Sequence, residues 1–201
     1  MNKSNHIYFK KKALSKFYCD ELIKFFDICP WSKSGHAGVD GINKVDRSHK
    51  NSIDIPVIMH DPLNPLYTTL EIVLAKNLKE YVKRYPFMEK IGKWSMYEGA
   101  NIQKYNINGG YITEHCEYGY DKDKSCSSSS RVLAWMFYLN DVTDKGGTCF
   151  PSQNITLKAR VGDLYIWPAY FTHSHYGVPS PSQIKYIATG WCNFNELTSI
   201  K

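Results

Sequence analysis

Five segments rich in β-branched and aromatic residues follow one another from about residue 100 onward, and they constrain the fold more than any other feature. They read ANIQKYNI, GYITEHCE, RVLAWMFYLNDV, ITLKARVGDLYIW and IKYIATGWCNF. Turn sequences with Gly, Asn and Asp separate them, such as Asn108–Gly110 and Asp144–Gly147. Several short strands at near-regular spacing predict a mainly β fold of the sandwich or jelly-roll type.

The first part of the chain has two helical patterns instead. Ser15–Cys29 places its aromatic residues on one side, and Pro30 follows as a stop. A second apolar stripe at helical spacing begins after Asn64 and Pro65, which suit an N-cap and a first helical position, and ends at Pro86. Both helices are expected to pack on the β-rich part.

The sequence predicts a single domain over residues 1–201, because one core of this size suits a chain of 201 residues. We expect a helical N-terminal part at about 1–93 and a jelly-roll core at about 94–196. The polar stretches 32–53 and 118–130 are too long for simple connectors. They are candidate lids over a functional site.

Composition excludes several classes of protein. The net charge of +6 is spread along the chain without a concentrated basic patch, so a nucleic-acid partner is not expected. No stretch approaches the roughly 20 apolar residues of a membrane span, and the N-terminus lacks the apolar region of a secretion signal. The six cysteines form no CxxC pair. These features predict a cytoplasmic protein with free thiols and no membrane association.

His115 and Glu117 carry the most specific chemical signal. They lie two positions apart in a segment predicted as a strand, so their side chains should point to the same face. A third ligand could come from His173 or His175, which precede a Pro/Ser turn in the C-terminal region. Two histidines and one carboxylate are the ligand set of non-haem Fe(II) oxygenases, which leaves three coordination positions open.

With these motifs the sequence resembles the 2-oxoglutarate- and Fe(II)-dependent dioxygenases, and among them the prolyl 4-hydroxylase-like branch. The resemblance covers residues 101–194 through KYNINGGYITEHCE, RVLAWMFYLNDVTDKGGTCFP, GDLYIWPA and HYGVPSPSQIKYIATGW. In that family a basic residue lies ten positions after the distal histidine. Ten residues after His175 stands Lys185, whereas ten after His173 stands Gln183. The resemblance therefore implies His175 as the ligand, with Glu117 in the position where the family usually has Asp.

The resemblance implies roles for further residues. Lys185 would pair with the distal carboxylate of 2-oxoglutarate, because a buried anion needs a cation beside it. The same carboxylate would accept hydrogen bonds from Tyr105 and Thr148. The residues expected near a substrate peptide are Arg131, Trp191 and Tyr111.

The implied fold is a double-stranded β-helix with N-terminal packing helices. The implied activity is hydroxylation of a C–H bond with Fe(II), 2-oxoglutarate and O₂, which releases succinate and CO₂, with ascorbate as a candidate reductant. The expected target is a proline in a peptide. A free amino acid, a small metabolite or a nucleobase stays open as the substrate, and so does a non-catalytic jelly-roll binding protein. The oligomeric state is not predicted.

Overall fold

A computed structural model describes residues 5–39, 42–59, 64–120 and 128–195 of the chain. This part holds two α-helices, α1 (Lys16–Ile28) and α2 (Pro65–Arg84). Its strands are β1 (Tyr8–Lys10), β2 (Lys33–Ser34), β3 (Ala37–Val39), β4 (Ile42–Lys44), β5 (Ile53–Ile58), β6 (Trp94–Tyr105), β7 (Arg131–Tyr138), β8 (Thr148–Phe150), β9 (Ile155–Leu157), β10 (Leu164–Pro168), β11 (Tyr176–Gly177) and β12 (Lys185–Phe194). Single 3-10 turns lie at Pro86–Glu89, Ser128–Ser130, Pro151–Gln153 and Phe171–His173.

The strands form antiparallel sheets. The major sheet has seven strands in the order β1-β10-β7-β12-β6-β5-β2, and a second sheet has the order β11-β8-β9. Strands β3 and β4 form a separate hairpin. Antiparallel strands that close over a common core confirm the predicted mainly β, jelly-roll architecture.

Strand β7 lies at the centre of the core, and all of its residues are buried. Trp135 and the residues two positions either side of it pack with the helices. Met136 and the residues two positions either side of it pack with the second sheet. This alternation follows from the two-residue period of a strand. Because both faces of β7 are covered, its sequence reads as one continuous apolar run.

Both predicted helices are present, and α2 begins after the predicted cap Asn64. The Ser15 hydroxyl accepts a hydrogen bond from the Tyr18 amide at the start of α1. The Asn64 side chain does the same for the Leu66 amide at the start of α2. These caps satisfy amide groups that have no partner inside the helix. The helices stack against the major sheet and leave its other face to the second sheet.

The N-terminal part differs from the predicted helical one, because it also supplies five strands. Strand β1 extends the major sheet by pairing Tyr8 with Ile166, and β5 does so by pairing Ile55 with Ile102. The stretch 32–53, predicted as a loop, contains β2, the β3–β4 hairpin and the start of β5. Such short edge strands form because a neighbouring strand offers unpaired amide and carbonyl groups, which local sequence does not reveal.

Neither described helix combines the length and the apolar character needed to cross a bilayer.

Candidate active site

The segment 110–117, predicted as a strand, does not form one: it bends at Thr113 and Glu117 and pairs with its neighbours only at isolated bridges. At one bridge the His115 amide donates to the His175 carbonyl at 3.0 Å, and the His175 amide donates back at 2.8 Å. The ladder does not continue because nearby amides bond elsewhere, as that of Ile112 does with the His49 carbonyl. The bridge places the two histidines side by side from opposite ends of the jelly-roll sequence.

Glu117 joins the two histidines. Its amide donates to the Ala169 carbonyl at 3.0 Å, which fixes the backbone beside the bridge. Its Oε1 lies 3.4 Å from His175 Nε2 and 3.9 Å from His115 Nε2. The ligand atoms of His115, Glu117 and His175 all lie within 4.8 Å of one another. The structure therefore brings together the three residues predicted as metal ligands.

The hydrogen bonds of the two rings set their tautomers. His115 Nδ1 lies 2.9 Å from the Thr113 carbonyl, and His175 Nδ1 lies 2.9 Å from the His173 carbonyl. A carbonyl oxygen only accepts, so each Nδ1 carries the proton. Each Nε2 then presents a lone pair toward Glu117, as a metal-binding imidazole requires.

Electrostatics favour a neutral His115 and an ionised Glu117. Burial, followed by the neighbouring His175, lowers the pKa of His115 to about 3, so its ring is neutral at pH 7. Burial alone would raise the pKa of Glu117, but the adjacent His175 and the nearby His115 and Arg131 bring it well below its usual range. Neutral imidazoles and an ionised carboxylate form the donor set that suits Fe(II) and leaves positions open for other ligands. The residues present therefore fit the metal.

His173 lies outside this cluster. It is buried, and its Nε2 donates to the Asn5 carbonyl at 2.9 Å, while its Nδ1 lies 3.0 Å from the Thr172 hydroxyl. Both ring nitrogens are therefore occupied by the surrounding protein. Its backbone carbonyl still orients the His175 ring, so His173 acts on the site only through that bond.

Lys185 lies buried in the same pocket and is only 4 % exposed. Its Nζ donates to the Gly146 carbonyl at 3.1 Å and lies 4.8 Å from the centre of the Tyr105 ring. Burial lowers the pKa of Lys185 to about 8. Among the described residues no carboxylate forms an ion pair with it, although a buried cation is normally paired. An anionic ligand such as a dicarboxylate fits this position.

Thr148 and Tyr105, the other predicted cosubstrate residues, both line the pocket. The Thr148 hydroxyl lies 2.8 Å from that of Tyr138, a buried residue that sequence reasoning missed. The Tyr105 hydroxyl donates to Gln103 Oε1 at 2.7 Å, so its proton is already in use. The period of β7 could have identified Tyr138, because it points to the same face as the pocket residue Met136.

Arg131 and Trp191, predicted to contact a substrate, both contact Glu117. Trp191 Nε1 donates to Glu117 Oε2 at 2.8 Å. Arg131 Nη1 donates to the Glu117 carbonyl at 2.9 Å and lies 3.5 Å from Oε2. The guanidinium also lies 3.7 Å from the centre of the Trp191 ring, in cation–π geometry. These contacts were not foreseen, because the three residues are far apart in the sequence.

Tyr111 stacks on His115 with ring centres 3.6 Å apart and an angle of 12° between the rings. The pocket around these residues has a volume of about 700 Å³. Its lining also includes Lys33, His36 and Asn43, so the stretch 32–53 borders the site. Of the other candidate lid, 118–130, residues 121–127 lie outside the described part of the chain.

A family model described as the 2OG-Fe(II) oxygenase superfamily matches residues 100–193. The matched segment contains His115, Glu117, His175 and Lys185. The matched segment is therefore similar to the 2OG-Fe(II) oxygenase superfamily over slightly less than half of the chain. Within this segment the clustered ligand residues and the buried lysine stand in the order that the family resemblance implies.

The chain is similar to several prolyl hydroxylases. A protein of Acanthamoeba polyphaga mimivirus named "Putative prolyl 4-hydroxylase" is 31% identical over 107 residues, which cover 47% of this chain and 44% of that protein. The chain thus matches less than half of that relative's length. The viral collagen prolyl hydroxylase of Paramecium Bursaria Chlorella virus-1, solved as a 2OG complex, has a TM-score of 0.68, 19% identity and coverage of 94% and 97%. A Trichoplax adhaerens prolyl hydroxylase, solved with a peptide fragment of a hypoxia inducible factor, has a TM-score of 0.69, 13% identity and coverage of 94% and 84%.

Proposed function

We propose that this protein is an oxygenase that uses Fe(II), 2-oxoglutarate and O₂ to hydroxylate a proline residue in a peptide, with release of succinate and CO₂. The observation that carries the proposal is one pocket with two complementary ends. At one end stand His115, Glu117 and His175 with their lone pairs converging. At the other stands the buried Lys185 cation without a carboxylate partner among the described residues. A metal and a dicarboxylate together satisfy both ends.

Oxidation of a C–H bond to an alcohol by O₂ is the chemistry that Fe(II) and 2-oxoglutarate supply when bound. The protein has to hold both in place. His115, Glu117 and His175 would hold the metal through two Nε2 atoms and a carboxylate oxygen. Their orientation is already fixed by carbonyl groups behind the rings, so little reorganisation is needed.

Lys185 would orient the cosubstrate by pairing with its distal carboxylate. The Thr148 hydroxyl, which shares a hydrogen bond with Tyr138, can rotate to donate to the same group. A charge-assisted hydrogen bond in a buried site is stronger than one in water. With the distal carboxylate held at Lys185, the 2-oxo acid end of the cosubstrate would face the ligand residues His115, Glu117 and His175.

The walls around His175 would exclude water from the reacting region. The Phe150 ring stacks on the imidazole with centres 5.0 Å apart, and the Trp167 ring meets it edge-on at 5.2 Å. All three residues are buried. A dry wall on this side strengthens the electrostatic interactions inside the pocket and protects a reactive oxidant.

A peptide substrate is supported by the similar proteins, which are named prolyl hydroxylases, and by the aromatic character of the pocket mouth. Tyr111 and Trp191 line the pocket, and Tyr120 is strongly exposed beside them. Proline-rich peptides adopt an extended polyproline II helix, which aromatic surfaces recognise in several proteins. Contact of Arg131 with the peptide is part of the same proposal.

The test is a turnover assay with matched substrates. The protein is incubated with Fe(II), 2-oxoglutarate and one candidate substrate: a proline-rich peptide, free proline or a short oligonucleotide. The product masses are then measured by mass spectrometry. We expect a gain of one oxygen on the peptide, with succinate formed in equal amount. His175→Ala should abolish turnover, whereas His173→Ala, which changes an equally buried histidine outside the cluster, should keep iron.

Each outcome bears on a different part of the proposal. Oxygen gain on free proline or on nucleobases alone would overturn the peptide substrate and keep the oxygenase. Failure of the wild-type protein to bind iron or to form succinate would overturn the activity itself. Iron loss in His173→Ala with retention in His175→Ala would overturn the assignment of His175.

The proposal also covers a reductant and a location. Ascorbate would return oxidised iron to the ferrous state, so added ascorbate should raise the number of turnovers per enzyme. A cytoplasmic location is supported by free thiols at Cys19, Cys29, Cys116, Cys149 and Cys192. Imaging of a tagged full chain tests the location directly.

A further inference from the structure

The two carboxylate oxygens of Glu117 have different surroundings. Oε1 faces the histidines, at 3.4 Å from His175 Nε2 and 3.9 Å from His115 Nε2. Oε2 faces away and accepts the indole N–H of Trp191 at 2.8 Å, with Arg131 Nη1 at 3.5 Å. Oε2 therefore anchors the carboxylate to Trp191 and Arg131, and Oε1 is directed toward the two histidines.

We propose that Trp191 and Arg131 are positioning residues that limit Glu117 to a single oxygen ligand on the metal. This inference rests on the proposed Fe(II) and 2-oxoglutarate chemistry. Glu has one methylene more than the Asp usual in this family, so its carboxylate is free to turn unless something restrains it. The indole N–H and the guanidinium supply that restraint.

The restraint matters because the metal needs three open coordination positions to bind a chelating oxo acid and O₂. Two histidines and one carboxylate oxygen leave three positions on a six-coordinate metal, enough for a chelating oxo acid and O₂. A second oxygen from Glu117 would occupy one of them. Holding Oε2 on Trp191 therefore keeps the site competent to chelate 2-oxoglutarate.

The geometry assigns Trp191 to Glu117 instead of to a polar contact with a peptide. An indole has one N–H donor and no acceptor, and that donor is already used at 2.8 Å. The Arg131 guanidinium also lies over the Trp191 ring, 3.7 Å from the ring centre. Arg131 in turn is fixed by its 2.9 Å bond to the Glu117 carbonyl. The three groups form one unit, which we call the Glu117 clamp.

The test uses Trp191→Phe, which keeps an aromatic ring and removes the N–H donor together with part of the ring area. The purified protein is loaded with Fe(II) without oxygen or peptide, and 2-oxoglutarate is titrated while the charge-transfer absorption of the chelate is followed. We expect the affinity for 2-oxoglutarate to fall about 10- to 100-fold, the range typical when a residue that orients a metal ligand is lost. Arg131→Lys should change it in the same direction by less.

Trp94→Phe is the matched control, because the Trp94 indole also donates a hydrogen bond, to the Met88 carbonyl at 3.0 Å, but does not line the pocket. It should bind 2-oxoglutarate as the wild type does. Normal chelation in a folded Trp191→Phe protein, with only a raised peptide KM, would overturn the clamp and return Trp191 to the substrate. If Trp191→Phe does not fold, unchanged chelation in Arg131→Lys serves as the overturning result. Neither measurement needs turnover, so failure of the clamp and failure of the proposed function are distinguishable.

Discussion

Two buried lysines line the same pocket, and their surroundings are opposite. Lys50 is 6 % exposed, and its Nζ lies 2.7 Å from Asp54 Oδ2. That carboxylate is further held by Ser52 and by Gln103. Lys185 is 4 % exposed, and its hydrogen bond goes to the Gly146 carbonyl, with no carboxylate of the described residues in an ion pair with it. One cation is balanced by the protein, and the other is not.

This difference distinguishes a lysine that stabilises the fold, Lys50, from one that is prepared to bind a ligand, Lys185. A buried ion pair with further hydrogen bonds satisfies its own charges, so the Lys50–Asp54 pair serves to fix strand β5 at the wall of the pocket. A buried cation without a carboxylate destabilises the protein until an anion arrives. The Lys185 end is thus prepared for a ligand at the expense of stability, as functional sites often are.

The largest expected effect is on cosubstrate binding by Lys185→Met. Removing one partner of a buried charge pair costs about 3–5 kcal/mol, so the affinity for 2-oxoglutarate should fall at least about a hundredfold. Iron binding should persist, because Lys185 is not among the clustered ligand residues. Titration of the Fe(II)-loaded protein measures this, with Lys104→Met as a control lysine outside the pocket. An unchanged affinity would remove Lys185 from the cosubstrate site.

The next effect tests the other lysine. Lys50→Met leaves the Asp54 carboxylate buried with only neutral partners, so the free energy of unfolding should fall by about 3 kcal/mol. Urea denaturation followed by circular dichroism measures it. Lys104→Met again is the control, because its ion pair with Asp27 is partly exposed and should contribute under about 1 kcal/mol. Equal losses in the two variants would contradict a structural role for Lys50.

A third effect has the opposite sign. Without 2-oxoglutarate, Lys185→Met should raise the free energy of unfolding by about 2–3 kcal/mol at pH 7, because it removes a buried cation whose pKa burial lowers from 10.5 to about 8. The same denaturation experiment decides the sign. A destabilised variant would mean that the bond to Gly146 outweighs the burial of charge, and the two lysines would then be alike.

Parts of this comparison could be predicted from the sequence, and parts could not. The apolar run of β7 is a local pattern, so the core strand was predicted from the residues themselves. Lys185 was identified by the family resemblance, through its place ten residues after His175. The cap at Asn64 is local too, and α2 begins there. Each of these signals is carried by neighbouring residues.

The remaining features depend on residues far apart in the chain. The bond between Trp191 and Glu117 spans 74 positions and that between Gln103 and Asp54 spans 49. No periodicity reports such pairs, so Trp191 was assigned to the substrate and the Lys50 region to a loop. Strand β1 was missed for the same reason, since its pairing with β10 is decided by the sheet.

The smallest expected effect is a pH dependence that belongs to Lys185 alone. Burial lowers its pKa to about 8 in the ligand-free protein, so its charged form, the one that binds an anion, is lost as the pH rises through that value. The affinity for 2-oxoglutarate should therefore fall about tenfold between pH 7 and pH 9, because a group with that pKa is about nine-tenths neutral at pH 9. Lys185→Arg is the matched control, since a guanidinium stays charged throughout. Titrations of both proteins at pH 7, 8 and 9 should show an affinity that falls with pH in the wild type and falls less in the variant.

The pH dependence of stability has the opposite sign. The unfavourable contribution of Lys185 to stability is fully present below about pH 8 and fades toward pH 10.5, where the lysine is neutral in the folded and the unfolded chain alike. The stability gained by Lys185→Met should fade over the same range. A gain that stays constant up to pH 10 would show that Lys185 is not a cation held without a partner, and the contrast with Lys50 would fail.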